Sequence, residues 1–444
     1  MNFYDQNFLL LVTGCGALSW RQCHSKEQSP EEKALNQPPV TPRAQAEARQ
    51  FTRLFLIVYC LVMGSDWLQG PYVYSLYKDQ FGLRETIVAA LFTTGFLSGG
   101  ISGYFVGQFA DRYGRKVACL VFCITYSIAC FSTLIPSVPV LFYGRVFGGL
   151  STSLMYSAFE SWMVTEYHKR QTERTGSSLS GMYGIMTTLN SIVAILSGVF
   201  SEWLVNVTNT KRAPFMASAV LLIVAFWIIL LCWKENYGDS HNTSETSTVV
   251  HKDALKTFFT DKRILTLGLA SCFFEGSMYL FVFFWTPALK AAQTLAGSPA
   301  LPLGMIFACF MGSVMLGSLA FNLLVTKYKL ISHSRLLTII FATASSSLLI
   351  PVIVQNEALT FWSFCVFEAC VGMYWPSVGY LKGRFIDDGI RARIYGMLRI
   401  PLNIFVVVAL SLIKEGTDYR NLVFMTCSGL LVLTSGIFQY CVSD

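Results

Sequence analysis

Apolar runs of roughly 20 residues, alternating with short polar connections, constrain this chain more than any other feature. At 1.5 Å of helical rise per residue, each run is long enough to cross a hydrocarbon core of ~30 Å. The runs lie near 53–77, 84–108, 117–136, 139–163, 178–201 and 213–233, then near 263–287, 301–325, 335–355, 357–381, 393–414 and 420–441. A helix satisfies its own backbone hydrogen bonds, so segments that cross a bilayer repeatedly must be helical. The expected fold is therefore an all-α membrane protein of twelve core spans in two six-helix bundles, residues 51–233 and 263–444. Composition agrees. Hydrophobic residues make up 53% of the 444 and charged residues 13%, where a soluble domain carries about a quarter charged.

A further apolar stretch, Phe8 to Trp20, precedes the core. It is within signal-peptide length, but no clear small-residue cleavage site follows, so a retained extra helix or interfacial anchor is expected. Residues 21–50, with Pro30, Pro38, Pro39 and Pro42, read as a polar linker. The net charge of +7 follows topology rather than nucleic-acid binding. With the linker placed in the cytoplasm, 24 Lys and Arg fall on that side and seven on the other, a strong positive-inside bias. The 13 cysteines lie almost entirely inside spans and read as small packing residues. All five histidines fall in loops, which argues against an intramembrane metal site. No metal or cofactor is expected. Catalytic His/Asp spacing, a nucleophile elbow and a phosphate-binding glycine loop are all missing, so an enzyme is not expected. Asn206-Val-Thr sits in a predicted outer loop, as a glycosylation acceptor would.

The two halves repeat. Asp66 lies mid-span in the first helix, followed by Trp67, Pro71 and Tyr72; Glu275 lies mid-span in the seventh, followed by Trp285 and Pro287. Tyr183-Gly in the fifth span matches Tyr395-Gly in the eleventh. Parallel repeats of this kind are a transporter architecture. Residues 234–262 between them are polar, as a cytoplasmic connector would be.

Between the second and third spans lies Gly107-Gln-Phe-Ala-Asp111-Arg112-Tyr-Gly114-Arg115-Lys116. This loop resembles the signature of the major facilitator superfamily, and the twelve-span layout extends the resemblance over nearly the whole chain. Gly107 would allow close helix approach, and Asp111 would pair with a basic group or helix end as a gating latch. The matching stretch of the second half, Asn322 to Lys329, lacks both residues. Further segments resemble a narrower branch, the eukaryotic molybdate-anion transporter family: Asp66 to Tyr77, Gly144 to Ser153, Ser157 to Trp162, Trp233-Lys-Glu-Asn-Tyr237, Phe281 to Pro287, Leu303 to Phe307 and Leu398 to Leu402. That resemblance implies the major facilitator fold and cellular uptake of molybdate.

An ionisable group inside a span costs roughly 2.5–3.5 kcal/mol and marks function by default. Asp66, Glu275 and Glu368 each lie about 11–13 residues into their spans, near mid-depth. Glu160 approaches the cytoplasmic end of the fourth. Guanidinium matches a tetrahedral oxyanion because it is always charged and donates two parallel hydrogen bonds. Arg145 and Arg399 are therefore the expected anion ligands, with Asn190 and Asn403 as neutral donors and Ser151, Thr152 and Ser153 as hydroxyl donors. In the alternative, each arginine neutralises a carboxylate, as Arg145 would with Asp66 or Glu368.

Bringing a dianion inward against 100 mV, inside negative, costs about 4.6 kcal/mol. Uptake then requires cotransported cations. Since burial favours the protonated carboxyl, Asp66, Glu275 and Glu368 are expected proton carriers, with Glu160 beside them. A monomer in the lipid bilayer, in the plasma membrane, is the expected setting. A facilitator of another solute or organic anion, and a non-transporting receptor or scaffold of the same fold, are the competing readings.

Overall fold

A computed structural model describes residues 2–23, 42–170, 172, 178–238, 260–386, 391–413 and 416–442. Residues 24–41 of the expected linker and 239–259 of the expected connector lie outside these. Among the described residues the secondary structure is wholly helical. The long helices are α1 Phe3–Cys23, α2 Pro42–Trp67, α3 Glu85–Tyr113, α4 Arg115–Ser132, α5 Val138–Lys169, α6 Leu179–Thr208 and α7 Ala213–Cys232. Then follow α8 Lys262–Ala296, α9 Leu303–Phe321, α10 His333–Ile353, α11 Glu357–Phe385, α12 Arg391–Ser411 and α13 Thr417–Cys441. Nine among the described residues are long and apolar enough to cross a membrane. α2 and α5, which carry Asp66 and Arg145, fall outside that number, and α12, which carries Arg399, counts only as a shorter apolar helix over Met397–Ser411.

Local sequence explains the helix ends. Ser178, Asp261, Ser332 and Asn356 cap α6, α8, α10 and α11, accepting from the backbone N–H of Gly181 (3.0 Å), Arg263 (2.8 Å), Arg335 (3.4 Å) and Leu359 (3.1 Å). α2 starts at Pro42, well before the expected span, because proline is pre-set for a helix start and Ala, Gln, Glu and Arg follow it. Those polar residues are barred from the bilayer but not from a helix. α2 stops at Trp67, just before Gly70-Pro71; a turn leads into a short helix Val73–Ser75 and a π-helical turn Leu76–Gln80. By contrast Pro287, Pro351, Pro376 and Pro401 stay inside their helices.

The chain parts into two compact units, and their boundaries cut α1 after Trp20, the π-helical turn after Leu76 and α3 after Thr93. One unit comprises Arg21–Leu76 and Thr94–His241. In it α2 packs on α5, α6 and α7, and α4 packs on α5 and α7. Its core gathers Phe55, Phe122 and Phe159 around Trp162 and Trp233, whose rings stack at 3.6 Å. The backbones of α3 and α5 touch: a Cβ on Gly149 would overlap the Gly95 carbonyl oxygen and stand 2.7 Å from the Gly99 nitrogen. Lipid offers no hydrophobic drive for helix association, so small residues that let backbones meet supply the packing.

The other unit comprises Met1–Trp20, Tyr77–Thr93 and Asn242–Asp444. The pairing pattern recurs there, α8 on α11, α12 and α13, and α10 on α11 and α13. Phe274 stacks on Tyr374 at 4.2 Å, and Phe281, Phe310, Phe364 and Phe367 continue the aromatic column. Gly317 and Gly372 let α9 and α11 cross at backbone contact, against Ala369 and Val314. α1 lies along this same pair. Tyr4 donates to Glu357 Oε1 at 2.5 Å, Cys15 Sγ to the Gly312 carbonyl at 3.4 Å, and the Phe3 and Tyr4 rings meet Phe361 edge-on. Outward faces of both units expose large apolar side chains such as Ile101, Leu196, Trp227, Val432 and Leu433, a surface suited to lipid rather than water.

Candidate functional site

In the unit containing α2, Asp66 and Trp67 end that helix and face two different neighbours. Tyr126 of α4 donates its hydroxyl to Asp66 Oδ1 at 2.5 Å, and Trp67 Nε1 donates to Asn190 Oδ1 of α6 at 2.8 Å. An indole N–H can only donate, so it fixes the Asn190 amide with its NH₂ turned the other way, ready to donate in turn. Asp66 makes no ion pair among the described residues; its partner is the tyrosine. Arg145 of α5 lies against α3, and glycine at position 95 leaves it room: a Cβ there would stand 3.2 Å from Nη2.

The hydroxyls of α5 divide. Ser151 is fully buried and shares a 2.7 Å hydrogen bond with Thr125 of α4. Thr152 is exposed and donates to the Gly148 carbonyl of its own helix at 3.0 Å. Ser153 donates to the Gly99 carbonyl at 2.7 Å. All three are thus engaged in helix packing or back-bonding. Glu160 is exposed and accepts from Tyr183 at 2.6 Å. Asn206 sits in the last turn of α6, exposed, donating to Glu202 at 3.4 Å.

In the other unit Glu275 is buried, 8% exposed, and its Oε1 receives two groups from α11. Tyr374 donates at 2.9 Å and Lys382 Nζ pairs at 3.5 Å, while Ser271 stands 3.3 Å from the same tyrosine oxygen. Sequence reading missed Lys382. It follows the expected span end at 381 and reads as an ordinary cytoplasmic charge, yet its side chain is only 16% exposed. Lysine's long apolar stem carries the ammonium back to the acid. Glu368 is buried, 6% exposed, and makes no hydrogen bond or ion pair among the described residues. Arg399 is exposed and Asn403 half-buried; four residues apart on α12, they share a face. Asp79 and Lys290 form a further ion pair in this unit.

The signature loop joins α3 to α4, and the segment after α7 folds back onto it. Glu235 accepts from the backbone N–H groups of Lys116 (2.7 Å) and Val117 (3.2 Å), capping α4 with a carboxylate where the helix dipole favours negative charge. Gly114 has φ +111°, and a Cβ there would lie 2.5 Å from the Glu235 carboxyl, so both backbone and space demand glycine. Asp111 pairs with Arg115 at 2.9 Å, and Arg115 also donates to the Ser161 carbonyl at 3.1 Å and to Thr165. Arg112 stacks over Tyr113, and Lys116 donates to the Leu230 carbonyl at 2.9 Å. No neighbour comes within 4 Å of a Cβ built on Gly107. The close approach expected at Gly107 occurs instead at Gly95, Gly99 and Gly149. Glu235→Ala should lower thermal stability by about 1–2 kcal/mol, a shift of several degrees, by orphaning two helix donors. Glu235→Gln, which keeps an acceptor, should lose less; thermal unfolding of the purified protein checks the order.

The helical repeat has close counterparts among solved structures. A mutant of the nucleoside transporter NupG superposes with a TM-score of 0.71 at 14% identity, covering 88% of this chain and 100% of that one. A peptide transporter POT in complex with sulfate gives 0.70 at 12%, covering 88% and 94%. Residues 36–365 match the family model described as sugar transporters, 12 TM. The chain belongs to the major facilitator superfamily, as a multi-pass membrane transporter and not an enzyme. Within that class it belongs with the molybdate-anion transporters. The protein of that name from Takifugu rubripes is 30% identical over 407 residues, 85% of this chain and 82% of the relative. The one from Danio rerio is 28% identical over 452 residues, 92% and 91%.

Proposed function

We propose that this chain is a secondary active transporter that carries molybdate into the cell by alternating access, with protons as the coupling cation. It acts as a monomer in the plasma membrane. The observation that carries this reading is the match to proteins named molybdate-anion transporter over 85–93% of this chain, through both repeats. Charge placement supports it. Arg145 offers a planar, permanently charged fork to an oxyanion, and the Asn190 NH₂ offers a neutral donor. Arg399 and Asn403 present the same pair of chemistries on one face of α12. Ser151 and Thr152 contribute by holding α5 rather than by reaching the anion.

Coupling rests on the acids. Glu275 shares one oxygen between Tyr374 and Lys382. Protonating it removes the charge that holds Lys382, and a freed ammonium attracts the dianion. Glu368 and Asp66, without ion pairs, take up further protons, which electroneutral carriage of a dianion requires. Glu160 is exposed and serves as an entry group at the end of α5.

The test is uptake of labelled molybdate into cells lacking their own transporter, with and without excess sulfate, at two external pH values. Saturable uptake that resists sulfate and rises as external pH falls is the expected result. Glu275→Gln is expected to transport with a weaker dependence on pH, since Glu368 and Asp66 still take up protons. Normal surface expression without molybdate flux would overturn the substrate; the parent's full pH dependence in Glu275→Gln would overturn the coupling role.

A further inference from the structure

α2 carries a groove that the transport reading does not use. It has a volume of about 790 Å³ and follows one face of α2 from Gln45 to Leu61, with Leu221 of α7 as its side wall. Its two ends differ chemically. Gln45, Arg49 and Arg53 line the first part, and Leu56, Cys60 and Leu221 the second. Arg49 and Arg53 are one turn apart, so their guanidinium groups share a face. Both are exposed, and neither makes an ion pair or hydrogen bond among the described residues. Arg170 of the same unit behaves otherwise. It pairs with Glu166 at 2.9 Å and lies over the Phe51 ring of α2. Arg49 and Arg53 have no such partner among the described residues.

The charge gradient of this groove is that of a phospholipid. From Arg49 to Leu61 is twelve residues, roughly 18 Å along a helix, close to half the thickness of a bilayer. The basic part belongs to the cytoplasmic side by the distribution of Lys and Arg along the chain. A positive-inside bias accounts for arginines anywhere in that connection. It does not account for two unmatched ones stacked at the mouth of an apolar channel. A guanidinium pair grips a phosphate through two-pronged charge-assisted bonds, and basic pockets at the cytoplasmic ends of spans recognise anionic headgroups.

We propose that this groove binds one anionic phospholipid from the cytoplasmic leaflet. Its phosphate sits between Arg49 and Arg53, with Gln45 donating beside it, and one acyl chain runs along Leu56, Cys60 and Leu221. The ligand is already at high concentration in the surrounding leaflet, so modest intrinsic affinity fills the site. Because α2 also ends in Asp66 and Trp67, a lipid that pins its cytoplasmic half steadies the helix that carries those two residues.

The experiment uses the full chain purified in neutral detergent with phosphatidylcholine. Dioctanoyl phosphatidylserine, dioctanoyl phosphatidylcholine and inorganic phosphate are titrated, and binding is read by native mass spectrometry and by the unfolding temperature. The expected result is selective retention of, and stabilisation by, the serine lipid alone. In Arg49→Gln/Arg53→Gln its affinity should fall about thirtyfold, the loss of two basic contacts at a membrane surface. Arg112→Gln, a cytoplasmic arginine away from the groove, should bind as the parent does. Ile57→Trp, which fills the apolar part without changing charge, should also weaken binding. Each variant is first shown to be monodisperse, with the parent's unfolding temperature in phosphatidylcholine. Undiminished lipid binding by the double variant, or an equal effect of Arg112→Gln, overturns the site. Inorganic phosphate binding as well as the lipid, or Ile57→Trp binding unchanged, overturns the lipid as occupant. None of these readouts depends on what the protein transports.

Discussion

Arg145→Ala is expected to lower molybdate uptake, measured as Vmax/KM at equal surface expression, by roughly a hundredfold. That factor corresponds to losing one charge-assisted, two-pronged contact to an anion. Arg145→Lys keeps the charge but loses the fork, and should fall between the two. Gly95→Ala makes a finer probe. Its new methyl would stand 3.2–3.4 Å from the guanidinium, moving the group by a few tenths of an ångström without removing it. A raised KM with little change in Vmax is expected. If Arg145→Ala reaches the surface poorly yet transports normally per molecule, the arginine holds helices together and does not touch the anion.

The second large effect concerns packing. Gly149→Val should leave almost no folded protein at the cell surface, whatever the substrate. The added side chain would drive into the Gly95 carbonyl and the Gly99 nitrogen, which are backbone atoms and cannot rotate aside. Overpacking typically costs 1–3 kcal/mol, and more when backbone is the obstacle, against a total stability of only about 5–15 kcal/mol. Gly107→Ala on α3 is the matched control, since nothing lies within 4 Å of its new methyl. Fluorescence-detected size exclusion separates the two: an aggregated or vanished peak for Gly149→Val, a normal one for Gly107→Ala.

Membrane class and helical repeat were readable because they depend on composition and period, which a sequence carries openly. Buried acids were readable for the same reason: Glu275 and Glu368 stand out against apolar neighbours and are buried in the structure, while Asp66, read as mid-span, stands at the end of α2. What was not readable is where a long side chain turns. Lys382 lies beyond the apolar run, and only the crossing of α8 with α11 sets its ammonium against Glu275. Glu235 carries no sequence signal of its task, because its role as a cap on α4 exists only once the chain returns from α7. Ser151 illustrates the opposite error. A buried hydroxyl looks like a ligand in sequence, yet in a helix it bonds the preceding turn or the neighbouring hydroxyl, here the Phe147 carbonyl and Thr125.

Where α1 docks bears on how the chain is made. Its contacts reach residues 297 to 353 positions further along, from Gly312 to Glu357. At a synthesis rate of 5–20 residues per second, α1 emerges between about 15 and 70 s before its partners do. During that interval its Tyr4 hydroxyl and its small-residue face at Gly14 and Cys15 have only lipid, or a chaperone, to meet. α1 thus finds its seat only after α9 and α11 of the second repeat have been made.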